Sequence, residues 1–219
     1  MIPLRSSERT YTTPVVTLIL IAVNVAVFIY EVMLPGHLIN RFIALYGLVP
    51  DRLRYSTLLT SMFIHGGFLH VAGNMWFLWI FGKGVEDILG HAKYLIFYLL
   101  CGVAAAIAQI AVNPYSPVPT VGASGAIAGV MGAYLVKFPR ARINTLVPII
   151  IFITTVELPA AFLLIYWFLI QIFSGWGSIG YSTVSQGDVA WFAHIGGFVA
   201  GIALVMLMPA QRRRYSAWS

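Results

Sequence analysis

Apolar residues run along this chain in long blocks, each too uniform to be one face of a soluble helix. A helix needs about 20 apolar residues to cross the hydrocarbon of a bilayer, at roughly 1.5 Å of rise per residue. On that scale the chain holds six blocks. The first is Val15–Leu34. The second, His65–Phe81, is closed by Gly82-Lys83-Gly84. The third is Tyr94–Val112, and the fourth, Gly122–Lys137, is short. The fifth is about Leu158–Phe173. The sixth, Val189–Met208, is followed by Arg212–Arg214.

The connections differ in kind. Pro35–Thr60 mixes Arg41, Asp51, Arg52 and Arg54 with the apolar stretches Phe42–Leu48 and Leu58–Phe63, which predicts pieces lying in the membrane interface. Asn113–Val121 holds Pro114, Pro117 and Pro119 and cannot be helix. The apolar stretch Asn144–Phe173 is broken at Pro148 and Pro159, and its β-branched first part is expected to be interfacial or re-entrant. Gly175–Gly187 is a Gly/Ser-rich loop, either a mobile gate or a plain connector. No internal repeat is visible. The expected fold is all-α, with a polar segment at 1–14, a six-span membrane domain at 15–210 and a basic tail at 211–219.

Composition agrees. The chain is 60% hydrophobic and 9% charged, against roughly 45–50% and 25% in soluble domains. The net charge of +6 resides in short connections rather than in a patch for nucleic acid. Arg5, Arg9, Lys83, Lys93, Lys137, Arg140, Arg142, Arg212, Arg213 and Arg214 fall on one side of a six-span topology, and only Arg41, Arg52 and Arg54 on the other. That asymmetry predicts cytoplasmic termini, with a bacterial plasma membrane as the expected setting. The first block ends in Glu31, Pro35 and His37 rather than a small-residue cleavage site, so it reads as a retained span. Cys101, the single cysteine, excludes an intrachain disulfide and reads as a core residue.

Polar residues then gather at one depth. The fourth span covers about 20 Å from Ser124 to Lys137, which sets Ser124 about 10 Å below the outer face of a ~30 Å core. Asp188 marks the outer end of the sixth span, with His194 about 9 Å further in. His70 lies about 20 Å from Lys83, at a similar level, and Asn74 is one turn deeper on the same face. Polar groups in lipid are costly and usually functional. Gly125 and Gly129 on the fourth span, and Gly197 and Gly201 on the sixth, form small-residue faces that let backbones approach closely. Close approach would bring a serine hydroxyl to an imidazole, as nucleophile activation requires. Glu86, about 24 Å along a helix from His70, reads as an anchor or salt-bridge partner at the opposite end. Glu157 reads as part of a capped turn before Pro159. Trp76, Trp79, Trp167, Trp176 and Trp191 read as packing or interface aromatics.

These residues resemble the rhomboid family of intramembrane serine proteases over about residues 15–210. Gly122-Ala123-Ser124-Gly125 with Gly129 resembles the family's GxSGxxxG motif. His65, His70 and Asn74 resemble its second-span pattern, and Ala193-His194 with Gly197 and Gly201 its AHxxGxxxG. The resemblance implies a six-helix bundle whose short fourth helix begins at the active site. It implies a dyad of Ser124 as nucleophile and His194 as general base, with no third carboxylate. It implies an oxyanion hole from His70, Asn74 and the Ser124 backbone, a more structural His65, no cofactor and no metal. Substrates would be single-span membrane proteins cut near the outer face, with the lipid bilayer as the other partner. Two positions depart from the family. Ser56-Thr57 stand where many members have Trp-Arg, so Arg52 or Arg54 is expected to anchor the first loop. Ala128 stands where many have an aromatic against the base, so closer packing of spans four and six is expected to hold His194. The rival readings are an inactive rhomboid-like protein that binds membrane clients, and a bundle with haem between His70 and His194.

Overall fold

The computed structural model describes residues 1–149, 152–178 and 190–210. In chain order the elements are strand β1 (Ile2–Ser6), helices α1 (Val15–Met33), α2 (Gly36–Tyr46), α3 (Thr57–Thr60), α4 (Phe68–Leu89), α5 (His91–Val112) and α6 (Ser124–Lys137), strands β2 (Arg142–Ile149) and β3 (Phe152–Pro159), and helices α7 (Ala160–Ser178) and α8 (Trp191–Leu207). The fold is a mostly helical membrane bundle. Among the described residues, three helices are long and apolar enough to cross a membrane by length and composition, over Val15–Met33, His91–Val112 and Ala160–Gly177. α6 and α8 are apolar but shorter. The predicted Asp188, Val189 and tail Arg212–Arg214, and most of the Gly175–Gly187 loop, lie outside the described residues.

The bundle is built around α6, every residue of which from Gly125 to Tyr134 is buried. Its small side chains let α4, α5 and α8 close in. α4 does not stop at Gly82-Lys83-Gly84 as expected but runs through to Leu89. Those glycines make room rather than end a helix. A Cβ on Gly82 would lie 2.7 Å from the Tyr94 hydroxyl, and one on Gly84 would lie 3.2 Å from the Tyr134 and Phe138 rings. The helix ends instead at Gly90, whose φ of 77° suits a residue without a side chain.

The N-terminal end of α1 is held by α4. Glu86 is buried and accepts hydrogen bonds from the Val16 and Thr17 backbone N–H groups, both at 2.8 Å, and from the Thr17 hydroxyl at 2.6 Å. His91 Nδ1 lies 2.6 Å from the same carboxylate. A helix start has N–H groups with no partner of their own and a partial positive charge. A carboxylate from a neighbouring helix answers both, which is the anchoring role expected of Glu86. Asp87 beside it accepts from Tyr11 N, Thr12 N and the Thr12 hydroxyl.

The largest difference from expectation is a sheet. Residues 142–149 and 152–159 pair as antiparallel strands, and residues 2–6 of the segment expected only to be polar pair with the first of them. The strand order is β1-β2-β3. The register runs from Arg142↔Pro159 to Ile149↔Phe152, with Ile2↔Leu146 and Ser6↔Ile143 on the other side. The β-branched content that makes this stretch a poor helix suits a pleated surface. Pro148 lies beyond the reach of β1, where β2 has β3 alone as neighbour, so a residue without an N–H is tolerated. Glu157 is therefore not in a capped turn. It lies on β3, exposed, with Arg142 at 3.8 Å.

β1 is also tied to helices. Trp76 Nε1–H of α4 donates to Pro3 O at 2.6 Å, and the Ser6 and Tyr134 hydroxyls are hydrogen-bonded. α7 starts two residues after its predicted start, directly after β3. Its first N–H groups are taken by the turn after α6, with Ala160 N donating to Ala141 O at 2.8 Å and Ala161 N to Pro139 O at 3.1 Å. That turn sets α7 beside α6 and α8.

Candidate active site

Ser124 is the first residue of α6 and His194 lies in the first turn of α8. Their approach is set by glycines. A Cβ on Gly197 would overlap the Gly125 carbonyl, one on Gly201 the Gly129 carbonyl, and one on Gly132 the Phe198 carbonyl. The two helices thus touch backbone to backbone along three turns, as their small-residue faces predict. α5 seats α8 from behind, where Gln109 Oε1 accepts from Ala193 N at 3.3 Å and answers one N–H of the α8 start. The result is a Ser124 Oγ to His194 Nε2 distance of 2.8 Å. Ser124 is half-buried and His194 buried.

The other ring nitrogen is also engaged. His194 Nδ1 lies 2.7 Å from Gln171 Oε1 of α7. The Trp167 ring, one turn earlier on α7, lies 5.8 Å from the imidazole between centroids, and Trp191 stands perpendicular to it at 6.3 Å. The close packing of spans four and six expected to hold the histidine sets the backbones, and an amide and two indoles meet the ring besides. Ala128 is fully buried, and the aromatic surface absent there is supplied from α7. Sequence reasoning missed Gln171 and gave Trp167 a packing role only. The signal available was Gln171 itself, the one amide in the fifth apolar block.

His70 and Asn74 lie against Gly122, two residues before Ser124. A Cβ on Gly122 would lie 2.8 Å from His70 Cε1 and Nε2 and 3.6 Å from Asn74 Nδ2. Gly122 also has φ +123°, so both conformation and space require glycine. Its N–H donates to Ser61 O at 2.9 Å, fixing the turn that leads into Ser124. Asn74 is buried, and its Nδ2 has no hydrogen-bond partner among the described residues. A cavity of about 30 Å³ opens beside Ser124, lined by Ser61, Thr120, Gly122 and Ala193 among others. That is room for a water molecule with polar neighbours.

His65 stands one step back, edge-on to His70 at 5.1 Å. Its backbone N–H points to the Glu31 carboxylate, 3.3 Å from each oxygen. Glu31, expected only as the end of the first span, is buried. Among the described residues no arginine side chain ties the first loop to another element. Among the described residues Arg52 meets only its neighbour Asp51, at 3.7 Å and largely exposed. Backbone holds the loop instead, through the Leu48–Thr120 bridge and Asp51 N donating to Ser116 O at 3.1 Å.

Fold and site together define a class: a multi-pass helical membrane protein with a serine hydroxyl and an imidazole joined inside its bundle. Comparison with known proteins narrows the class. The Rhomboid domain model matches residues 52–211, and the chain belongs to the rhomboid family. It is 42% identical over 78 residues to rhomboid protease GluP of Bacillus subtilis, covering 36% of this chain and 15% of that protein. It is 36% identical over 92 residues to the human mitochondrial presenilin-associated rhomboid-like protein, covering 40% and 24%. It is 32% identical over 153 residues to the chloroplastic rhomboid-like protein 11 of Arabidopsis thaliana, covering 68% and 51%. The matched segments thus span about half or less of these relatives' own lengths.

Proposed function

We propose that this protein is an intramembrane serine endopeptidase that hydrolyses peptide bonds of single-span membrane proteins. The observation that carries the reading is the 2.8 Å contact between Ser124 Oγ and His194 Nε2 within an apolar bundle. A serine is a weak nucleophile until a base within hydrogen-bond reach takes its proton. Ser124 Oγ attacks the scissile carbonyl carbon as its proton passes to His194 Nε2. Collapse of the tetrahedral intermediate breaks the C–N bond, and Nε2–H protonates the leaving amine. Water then attacks the acyl-enzyme, giving its proton to Nε2, and Ser124 is restored. The Ser124 backbone N–H, His70 and Asn74 stabilise the oxyanion. The unpartnered Asn74 Nδ2 beside Gly122 supports that role, because a donor held ready for developing charge costs no reorganisation. Gly122, Gly125, Gly197 and Gly201 support the site by permitting its close contacts, and His65 braces His70.

The reading includes a topology with both termini cytoplasmic, carried by the ten-to-three division of Lys and Arg. It places Ser124 toward the outer face, in a bacterial cell membrane. The experiment that tests the function is labelling of detergent-solubilised protein by a fluorophosphonate probe, together with cleavage of a membrane-embedded substrate. Both are expected in the wild type and absent in Ser124→Ala. Cleavage that survives in purified Ser124→Ala protein overturns the mechanism.

A further inference from the structure

We propose that Gln171 is a positioning residue of this site, whose amide oxygen holds His194 in the one neutral tautomer able to take a proton from Ser124. The proposal rests on the serine-protease reading above. A neutral imidazole has one N–H and one bare nitrogen, and the partners decide which is which. His194 has a different partner on each side, with Ser124 Oγ 2.8 Å from Nε2 and Gln171 Oε1 2.7 Å from Nδ1. The orientation of the Gln171 amide is itself determined. Its nitrogen donates to the backbone carbonyl of Trp167, one turn earlier on α7, at 3.2 Å. Turned over, the amide would set its oxygen against that carbonyl, two acceptors face to face. With the nitrogen committed to Trp167, Oε1 can only accept. Nδ1 must therefore carry the proton, and the lone pair of Nε2 faces the serine.

The same oxygen gains importance during reaction. When Nε2 takes the serine proton, the ring becomes an imidazolium and Nδ1–H···Oε1 becomes a charge-assisted bond. An interaction that strengthens only as charge develops raises the rate rather than the affinity. Gln171 and His194 are both buried, so water does not compete for either atom. An amide does this without the cost of a carboxylate inside an apolar bundle. This is the part an acidic third residue plays in soluble serine proteases, filled here by a neutral one.

The test compares Gln171→Met, which keeps bulk without an acceptor, and Gln171→Glu, which restores one. Three quantities are read: the fluorophosphonate labelling rate with kcat and KM, the thermal midpoint, and the His194 tautomer by nitrogen NMR of isotope-labelled histidine. In the wild type, Nδ1 is expected to carry the proton. Gln171→Met is expected to lower labelling and kcat roughly 10- to 100-fold, the size of one hydrogen bond to a charged group. KM should hold, the thermal midpoint should fall no further than the loss of one buried partner requires, His194 should become a mixture of tautomers, and Gln171→Glu should recover most of the rate. A labelling rate for folded Gln171→Met within about twofold of wild type, well under the effect of one such bond, overturns the proposal. So does a wild-type His194 protonated on Nε2, a result that needs no variant to fold. A wild type that resists the probe yet shows the Nδ1–H tautomer sinks the protease reading and leaves the tautomer assignment standing.

Discussion

Gly197 of α8 sits directly on the Gly125 carbonyl of α6, with no room for even a methyl group between them. Ser124 and His194 are the neighbours of this contact along their helices, so their 2.8 Å separation depends on it. Gly197→Val must push the helices apart. A displacement of about 1 Å can cost roughly 10²-fold in rate. Probe labelling of Ser124 should fall by at least that factor, while Gly36→Val, where a Cβ would meet nothing within 4 Å, leaves it unchanged.

Ser124→Ala and His194→Ala should each abolish cleavage, and the double variant should be no worse than either, because nucleophile and base act as a unit. Single-turnover cleavage assays on the three purified proteins check this. Additive losses in the double variant would separate the two residues.

Asn74→Ala should lower kcat with little change in KM. Loss of one oxyanion donor typically costs about 10²–10³ in rate, and less where His70 and a backbone N–H remain. A variant with full turnover and only weakened apparent affinity would make Asn74 a packing residue.

Ala128 is fully buried beneath the site. Ala128→Phe would insert a ring where Trp167 already supplies the aromatic contact to His194. Overpacking of a filled core costs about 1–3 kcal/mol or more, so the thermal midpoint and the labelling rate should both drop. Wild-type behaviour would show free space around α6 that these contacts do not suggest.

Glu86→Ala leaves Val16 N, Thr17 N and the Thr17 hydroxyl without their shared acceptor in a buried place. Each unmet buried donor costs about 1–3 kcal/mol. The thermal midpoint should fall markedly, whereas folded protein at low temperature should keep the Ser124 labelling rate, since Glu86 lies at the end of α4 away from His70.

The amino-acid sequence by itself determined the membrane bundle, because length and uniform apolarity are local properties that a bilayer reads one block at a time. It also pointed to one level for Ser124, His194, His70 and Asn74, since helical rise converts spacing into depth. Tertiary structure decided what depends on partners far along the chain. Residues 142–149 and 152–159 are apolar enough for any membrane setting, and only pairing with residues 2–6 and with each other makes them a sheet. Gly82 and Gly84 look like a helix end until Tyr94, Tyr134 and Phe138 pack onto them. Gln171 looks like a stray amide in an apolar helix. Its role depends on the turn that sets α7 beside α8, where its oxygen meets an imidazole 23 residues away. A hydrogen bond is directional and short, so no pattern of spacing within one span reveals its partner on another.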